Sequence, residues 1–253
     1  MIFDTHAHYD DKAFDEDRDV LLPSLPERGI SLVVNPGCDP ESSRRALALA
    51  EQYPFVYAAV GIHPEELDHA TPGALEELSS LACHPKCVAI GEIGLDYYWV
   101  SDNKEQQKEL FRRQLRLAQE QNKPVIVHDR EAHGDSLALI REFPGLRGVF
   151  HCFSGSVEMA EELLRWGWYL GFDGPVTYKN ARRALEVLAM CPPERMLIET
   201  DSPYLSPVPL RGRRNDSTSL PYVLQKISEI KGIPPEELAR LTLENGKRLF
   251  SIP

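Results

Sequence analysis

The sequence predicts an α/β chain folded as one parallel (β/α)₈ barrel spanning residues 1–253 as a single domain. Three observations carry that prediction. Eight short apolar runs alternate with eight amphipathic segments from one end of the chain to the other. The runs are continuously apolar instead of alternating with polar residues, as strands buried on both faces must be. No linker, low-complexity tract or short repeat interrupts them, and 253 residues at 42% hydrophobic composition suffice for one large core.

The elements follow in order. A first strand occupies Met1–His8 and a helix Asp17–Arg28. Ser31–Asn35 is a strand that stops at Pro36-Gly37, and Glu41–Gln52 an amphipathic helix. The strand Val56–Val60 runs into the loop Gly61-Ile62-His63-Pro64, and Gly73–Leu81 is helical. Val88–Glu92 is the fourth strand. Lys104–Gln121 is the longest helix, with Leu110, Phe111, Gln114, Leu115 and Ala118 spaced to bury one face. Pro124–His128 is the fifth strand, Ser136–Glu142 a helix, Gly148–His151 the sixth strand and Val157–Trp166 a helix. Trp168–Phe172, Ala181–Met190 and Arg195–Glu199 continue strand, helix, strand; Leu220–Lys231 and Pro235–Phe250 close the chain as helices.

Five of the eight histidines fall at the C-terminal ends of these strands. His6 and His8 end the first, His63 follows the third, His128 ends the fifth and His151 the sixth. Glu92 ends the fourth strand, and Asp201 lies just past the eighth. Strand alternation puts His6 and His8 on one face about 6.6 Å apart, with Asp4 on the same face as a supporting carboxylate. Active sites of such barrels form at the C-terminal ends of the strands, so these side chains converge in one mouth. Four imidazoles and two carboxylates exceed what one tetrahedral ion with an open position needs. They suit two divalent ions roughly 3.5–4 Å apart, bridged by a carboxylate and a water.

Other classes are excluded or set aside by composition. No run approaches the roughly 18 apolar residues of a membrane-spanning helix, and Met1–His6 has neither the basic nor the apolar region of a signal peptide. Five scattered cysteines, an odd number, fit a reducing cytoplasm. The net charge of −11 argues against a protein that coats nucleic acid by charge alone, though not against a nuclease whose bound cations face the phosphates. Scattered surface charge with no exposed apolar run predicts a monomer.

Asp4-Thr-His-Ala-His8, Gly91-Glu-Ile-Gly-Leu-Asp-Tyr-Tyr98, Pro124-Val-Ile-Val-His-Asp-Arg130, His151-Cys-Phe-Ser-Gly155 and Glu199-Thr-Asp-Ser-Pro-Tyr-Leu205 resemble the signature stretches of the TatD family. The resemblance runs on to Glu244–Phe250 and so covers essentially the whole chain. It implies an amidohydrolase-like barrel and a metal-dependent deoxyribonuclease, some members of the family acting on other esters. It also implies His6, His8, Glu92 and Asp201 at one metal, and Glu92, His128 and His151 at the other. One departure stands out: the family passes from Arg-Gly-x-Arg-Asn to Pro within two residues, whereas here Asp-Ser-Thr-Ser-Leu separates Arg211–Asn215 from Pro221.

The implied activity is hydrolysis of DNA phosphodiesters, as a 3′–5′ exonuclease on single strands or 3′ ends. Two cations lower the pKa of a bridging water, and Asp201 accepts its proton. His63, without a ligand role, bonds a phosphate or protonates the leaving oxygen. Arg130, Arg211, Arg213 and Arg214 are candidates to dock phosphates, and Tyr97, Tyr98 and Trp99 to stack on bases. Glu199, two residues before Asp201 and deeper, orients a ligand imidazole. Mixed nitrogen and oxygen donors admit Zn, Mn, Ni, Co or Mg. The alternatives are a metal-dependent hydrolase of a carboxylic ester or amide, such as aminoacyl-tRNA, and more remotely a non-catalytic metal-binding interaction protein.

Overall fold

In the computed structural model, which describes residues 1–253, eight parallel strands lie side by side in chain order. They are β1 (Ile2–Asp4), β2 (Ile30–Pro36), β3 (Val56–Val60), β4 (Cys87–Asp96), β5 (Val125–Arg130), β6 (Gly148–Phe150), β7 (Tyr169–Phe172) and β8 (Met196–Ile198). Between them run α1 (Arg18–Ser24), α2 (Pro40–Gln52), α3 (Ala74–Ala82), α4 (Lys104–Glu120), α5 (His133–Arg141), α6 (Val157–Arg165) and α7 (Arg182–Met190). After β8 come α8 (Leu220–Lys231) and α9 (Pro235–Phe250). The first and last strands meet through Thr5 N to Ile198 O at 3.2 Å, Asp201 N to His6 O at 2.9 Å and His8 N to Ser202 O at 2.7 Å. Those bonds close the barrel, and they do so at its C-terminal rim.

The core divides in two. A set of 56 buried apolar residues joins strands to the surrounding helices. A second set of 12 takes a residue from every strand, among them Phe3, Val34, Ala59, Ala89, Ile126, Val149, Tyr169 and Leu197, together with Leu249, Phe250 and Ile252. Contributions from all eight strands identify this set as the barrel interior, floored by the C-terminal end of α9. Two residues further along a strand the side chain again points inward. Ile126 is thus followed by His128, Val149 by His151, and Leu197 by Glu199.

The first strand departs from the predicted run. Regular pairing ends at Asp4, and Phe3 and Thr5 hold the inward positions. The alternation slips between Thr5 and His6, so Asp4 does not share a face with the two histidines. Asp4 instead accepts bonds from Thr200 N (3.0 Å), Thr200 Oγ1 (2.7 Å) and Ser217 Oγ (2.6 Å). Burial, offset in part by those bonds, raises its carboxyl to about 7. The predicted helix over Asp17–Arg28 is also shorter, ending at Ser24 before a separate turn at Pro26–Arg28, because Pro26 has no N–H to continue it.

The residues after Asn215 fold as a buried turn. Asp216 caps a 3₁₀ segment, Ser217–Ser219, whose Ser217 bonds both Asp4 and the Tyr9 hydroxyl (2.7 Å). Asn215 Nδ2 donates to Thr200 O (3.0 Å) and Tyr204 O (2.8 Å). This loop ties the exits of β1 and β8 together beneath the mouth.

Candidate metal centre

The six sequence-predicted ligands converge at the C-terminal mouth. His6 Nε2, His8 Nε2, Glu92 Oε2 and Asp201 Oδ1 form one set. Their separations are 3.0 Å between the imidazoles, 3.1 and 3.4 Å from these to Glu92, and 3.6 and 3.5 Å to Asp201. Four donors about 2.0–2.1 Å from a tetrahedral ion stand roughly 3.3 Å apart, which these separations straddle. The second set is Glu92 Oε1, His128 Nδ1 and His151 Nε2, at 3.0 Å, 2.8 Å and, between the imidazoles, 3.2 Å. Each set contains one oxygen of Glu92.

The chemistry of the donors fits cations. Glu92 is buried among five imidazoles, those of His6, His8, His63, His128 and His151. Burial alone would raise its carboxyl, but the histidines, His151 foremost, hold it well below the ordinary carboxylate range. Asp201 behaves alike: burial is outweighed by His8, His6 and His151. Protonating all the buried rings would be costly, and neutral rings can pair His6 Nε2 with His8 Nε2, 3.0 Å apart, only by sharing a single proton beside the Glu92 and Asp201 carboxylates. A cation between them resolves both.

The backbone around these donors is arranged for them. Asp201 has a φ of +54°, a left-handed conformation that aspartate tolerates better than most side chains. Gly171 on β7 is required by the same site, since a Cβ there would meet the Glu199 carboxylate at 2.6 Å. Glu199 accepts from Cys152 N (2.6 Å) and Thr5 Oγ1 (3.3 Å), and its Oε1 lies 3.6 Å from His151 Nδ1. It stands behind that imidazole, as its depth on β8 predicts. The Nδ1 atoms of His6 and His151 are buried without a hydrogen-bond partner.

Asp96 carries a role the sequence did not reveal. Its Oδ2 lies 3.0 Å from His128 Nε2, and its Oδ1 accepts from Tyr98 N (2.9 Å) and Trp99 N (2.7 Å). Asp96 therefore accepts a hydrogen bond from His128 Nε2–H and leaves the Nδ1 lone pair on the side of Glu92. Burial works against its charge, yet His128 and the two amides keep the carboxyl below its usual range. The signal was present: Glu92, Gly94 and Asp96 alternate along β4, and Gly94 sits where any Cβ would collide with His128 O. Cys38, past the end of β2, was missed in the same way; its Sγ lies 4.0 Å from His8 Nδ1.

Two glutamines of α4 fix this geometry from outside the barrel. Gln107 accepts from Asp96 N (2.8 Å) and donates to Asp96 O (2.9 Å). Gln114, two turns on, treats Ile62 alike, at 2.8 and 2.9 Å. The second clamp sets the neighbouring His63, whose Nδ1 accepts from Glu65 N at 3.3 Å and whose Nε2 lies 3.5 Å from Glu92 Oε1. A neutral ring with Nδ1 so occupied carries its proton on Nε2. His63 thus faces the centre as a hydrogen-bond donor, distinct from the lone-pair donors around it.

The mouth is an open cleft of about 780 Å³, lined among others by Lys12, Arg45, Trp99 and Arg130. The other arginines lie elsewhere. Arg214 forms a forked pair with Asp17 (2.7 and 2.6 Å) and also bonds Ala13 O. Arg211 lies 4.2 Å above the Tyr178 ring, and Arg213 is exposed. Of the aromatic group, Tyr97 is held by Asp135 (2.7 Å), while Tyr98 and Trp99 are exposed and packed edge to face. Arg130 covers Tyr98 at 4.5 Å. No helix is long and apolar enough to cross a membrane.

The family described as TatD related DNase matches residues 3–251. YabD of Bacillus subtilis, named a metal-dependent hydrolase, is 42% identical over 100% of both chains. TatD of Citrobacter rodentium, named a 3′-5′ ssDNA/RNA exonuclease, is 35% identical over 99% of this chain and 98% of its own. The crystal structure of YjjV, a TatD homolog from Escherichia coli, superposes with a TM-score of 0.92 at 33% identity, covering 100% of this chain and 98% of that one. The chain belongs to the TatD-related DNase family, among relatives named as metal-dependent hydrolases.

Proposed function

We propose that this protein is a two-metal phosphodiesterase that shortens single-stranded nucleic acid from the 3′ end. The observation that carries the reading is Glu92, whose two oxygens each belong to a different set of donors. His6, His8, Glu92 and Asp201 would hold one divalent ion, and Glu92, His128 and His151 the other. Bound there, such ions supply Lewis acidity that makes water a nucleophile near neutral pH and offsets charge on phosphoryl oxygens. The exonuclease named among the relatives supports nucleic acid as the substrate.

The remaining work falls to this chain's own side chains. Asp201, at the rim with its side chain slightly exposed, accepts the proton of the attacking water. His63 presents Nε2–H to a phosphoryl or leaving oxygen, the tautomer being set by Glu65 N. Arg130 docks a flanking phosphate at the edge of the cleft. Trp99 and Tyr98, exposed beside it, offer faces on which a splayed base can stack.

The test is a panel in Zn²⁺ or Mn²⁺ of 5′-labelled single-stranded DNA, a phosphomonoester, an aminoacyl-tRNA and an amide. The wild type is expected to give a 3′-shortened ladder on DNA. Asp201→Asn keeps an oxygen donor but cannot take a proton, and should turn over DNA about 10²–10⁴ times more slowly. An enzyme that leaves DNA intact and cleaves the aminoacyl ester or amide refutes the reading. Unchanged kcat in Asp201→Asn removes Asp201 as the base.

A further inference from the structure

A second cavity, of about 280 Å³, opens between the loops that follow β5, β6 and β7. It lies back to back with the metal centre. Cys152, in its wall, directly follows His151, and Gly171 packs against the Glu199 carboxylate that supports that imidazole. Its volume falls just under the range of pockets that enclose a whole small ligand, which suits a flat heterocycle better than an entire nucleotide. Phe153, Val176 and Ala184 give it apolar walls, and Asn180 stands exposed at its rim.

At the end of β7, Asp173 lines this cavity, 2% exposed, and its Oδ2 has no hydrogen-bond partner. Burial, with Glu199 and Asp201 nearby, holds its carboxyl well above the ordinary range, and a buried carboxyl oxygen without a partner costs free energy that a ligand N–H, which favours the ionised form, would recover. The mechanism above makes no use of Asp173. Among the parts of a nucleic acid, an amino group on a base edge is the donor that carboxylates accept from, as they do from the cytosine amine.

We infer that this cavity is a base pocket, in which Asp173 accepts a hydrogen bond from the exocyclic amine of the nucleobase beside the scissile phosphate. The inference rests on the nuclease reading for the phosphate's position. It adds a preference the metal centre alone does not confer: amino-bearing bases over thymine.

Calorimetric titration of the Zn²⁺-loaded protein with dCMP, dAMP, dTMP and inorganic phosphate tests it without turnover. The expected result is that dCMP and dAMP bind about tenfold tighter than dTMP, and that Asp173→Asn abolishes the difference. Ala184→Phe, on the half-exposed face of α7, should fill the pocket and bring every nucleotide down to the affinity of phosphate, itself unchanged. Equal binding of the three nucleotides, or a preference that survives both substitutions, overturns the pocket. If the wild type cleaves DNA yet binds the nucleotides equally, only the pocket fails. Base-selective binding by a chain that cleaves no nucleic acid would support the pocket and reject the nuclease.

Discussion

Asp96→Asn separates the two halves of the centre by moving a single proton. In the wild type, Asp96 Oδ2 accepts from His128 Nε2, and Oδ1 accepts from the amides of Tyr98 and Trp99. An asparagine must keep its oxygen toward those two amides, so its NH₂ turns toward His128. That group donates, which forces the neutral imidazole to carry its proton on Nδ1, the atom 3.0 Å from Glu92. A protonated Nδ1 cannot bind a cation. Loss of such an orienting partner typically weakens metal binding by about 10–100-fold. The His6, His8 and Asp201 set has no bond to Asp96 and should keep its affinity. Titrating the apoprotein with Zn²⁺ against a competing chelator should therefore show one tight site unchanged and one weakened by that factor, with apoprotein melting close to wild type. Two unaffected sites, or two weakened equally, would refute the tautomer argument.

Three further variants probe the rest of the arrangement. Glu92→Gln leaves one neutral oxygen for one ion and a donating NH₂ for the other in place of a shared carboxylate; since a unit charge at about 4 Å is worth roughly 4 kcal/mol in a partly screened site, both ions should bind orders of magnitude more weakly, and two full ions found by metal analysis would reject the bridge. His6→Ala with His8→Ala should leave about one ion per chain, held by Glu92, His128 and His151, and no loss of metal would show that the opening stretch is not a ligand pair. Ser217→Ala removes the hydroxyl that donates to Asp4 and leaves that buried carboxylate short of a donor, so urea unfolding should register a loss of about 1.5–3 kcal/mol; an unchanged midpoint would mean the Ser217–Ser219 turn does not fasten the barrel exits.

The barrel was legible because its signal is periodic and repeated. Each strand is a short apolar run, and His128 and His151 stand at or near the ends of theirs, while Glu92, predicted to end β4, lies within it because the strand runs on to Asp96. What escaped depends on single hydrogen bonds between distant segments. Asp96 lies only four residues past Glu92, but its task is visible only once β4 is seen to continue through Gly94 and to lie beside β5. Gln107 and Gln114 read as one buried helical stripe, and nothing in that stripe says that its amides close on the backbone of Asp96 and Ile62. Asp4 misled for the opposite reason. Alternation is a rule of regular strands, and β1 ceases to be regular at the residue where it delivers His6. The arginines expose a further limit, since charge in a sequence does not show its partner: Arg214 is forked onto Asp17, a pair 197 residues apart.

Placement of charge also explains how a chain of net charge −11 can receive a polyanion. The donors that would contact the ions carry only two negative charges, those of Glu92 and Asp201. The next two carboxylates, Asp96 and Glu199, stand behind His128 and His151, each separated from the ions by an imidazole. Two dications in that frame would be nearly balanced overall but not locally, with negative charge buried toward the barrel and positive charge facing the cleft. Arg130, Arg45 and Lys12 line the same opening, interspersed with Asp10, Asp11, Asp39, Glu65 and Glu66. Fields of this kind act over roughly a Debye length, about 8–10 Å in physiological salt. The scattered surface acids beyond that distance contribute little at the scissile phosphate. Net charge therefore governs how the whole protein behaves among other polyions, while the orientation of four buried carboxylates governs what the mouth will bind.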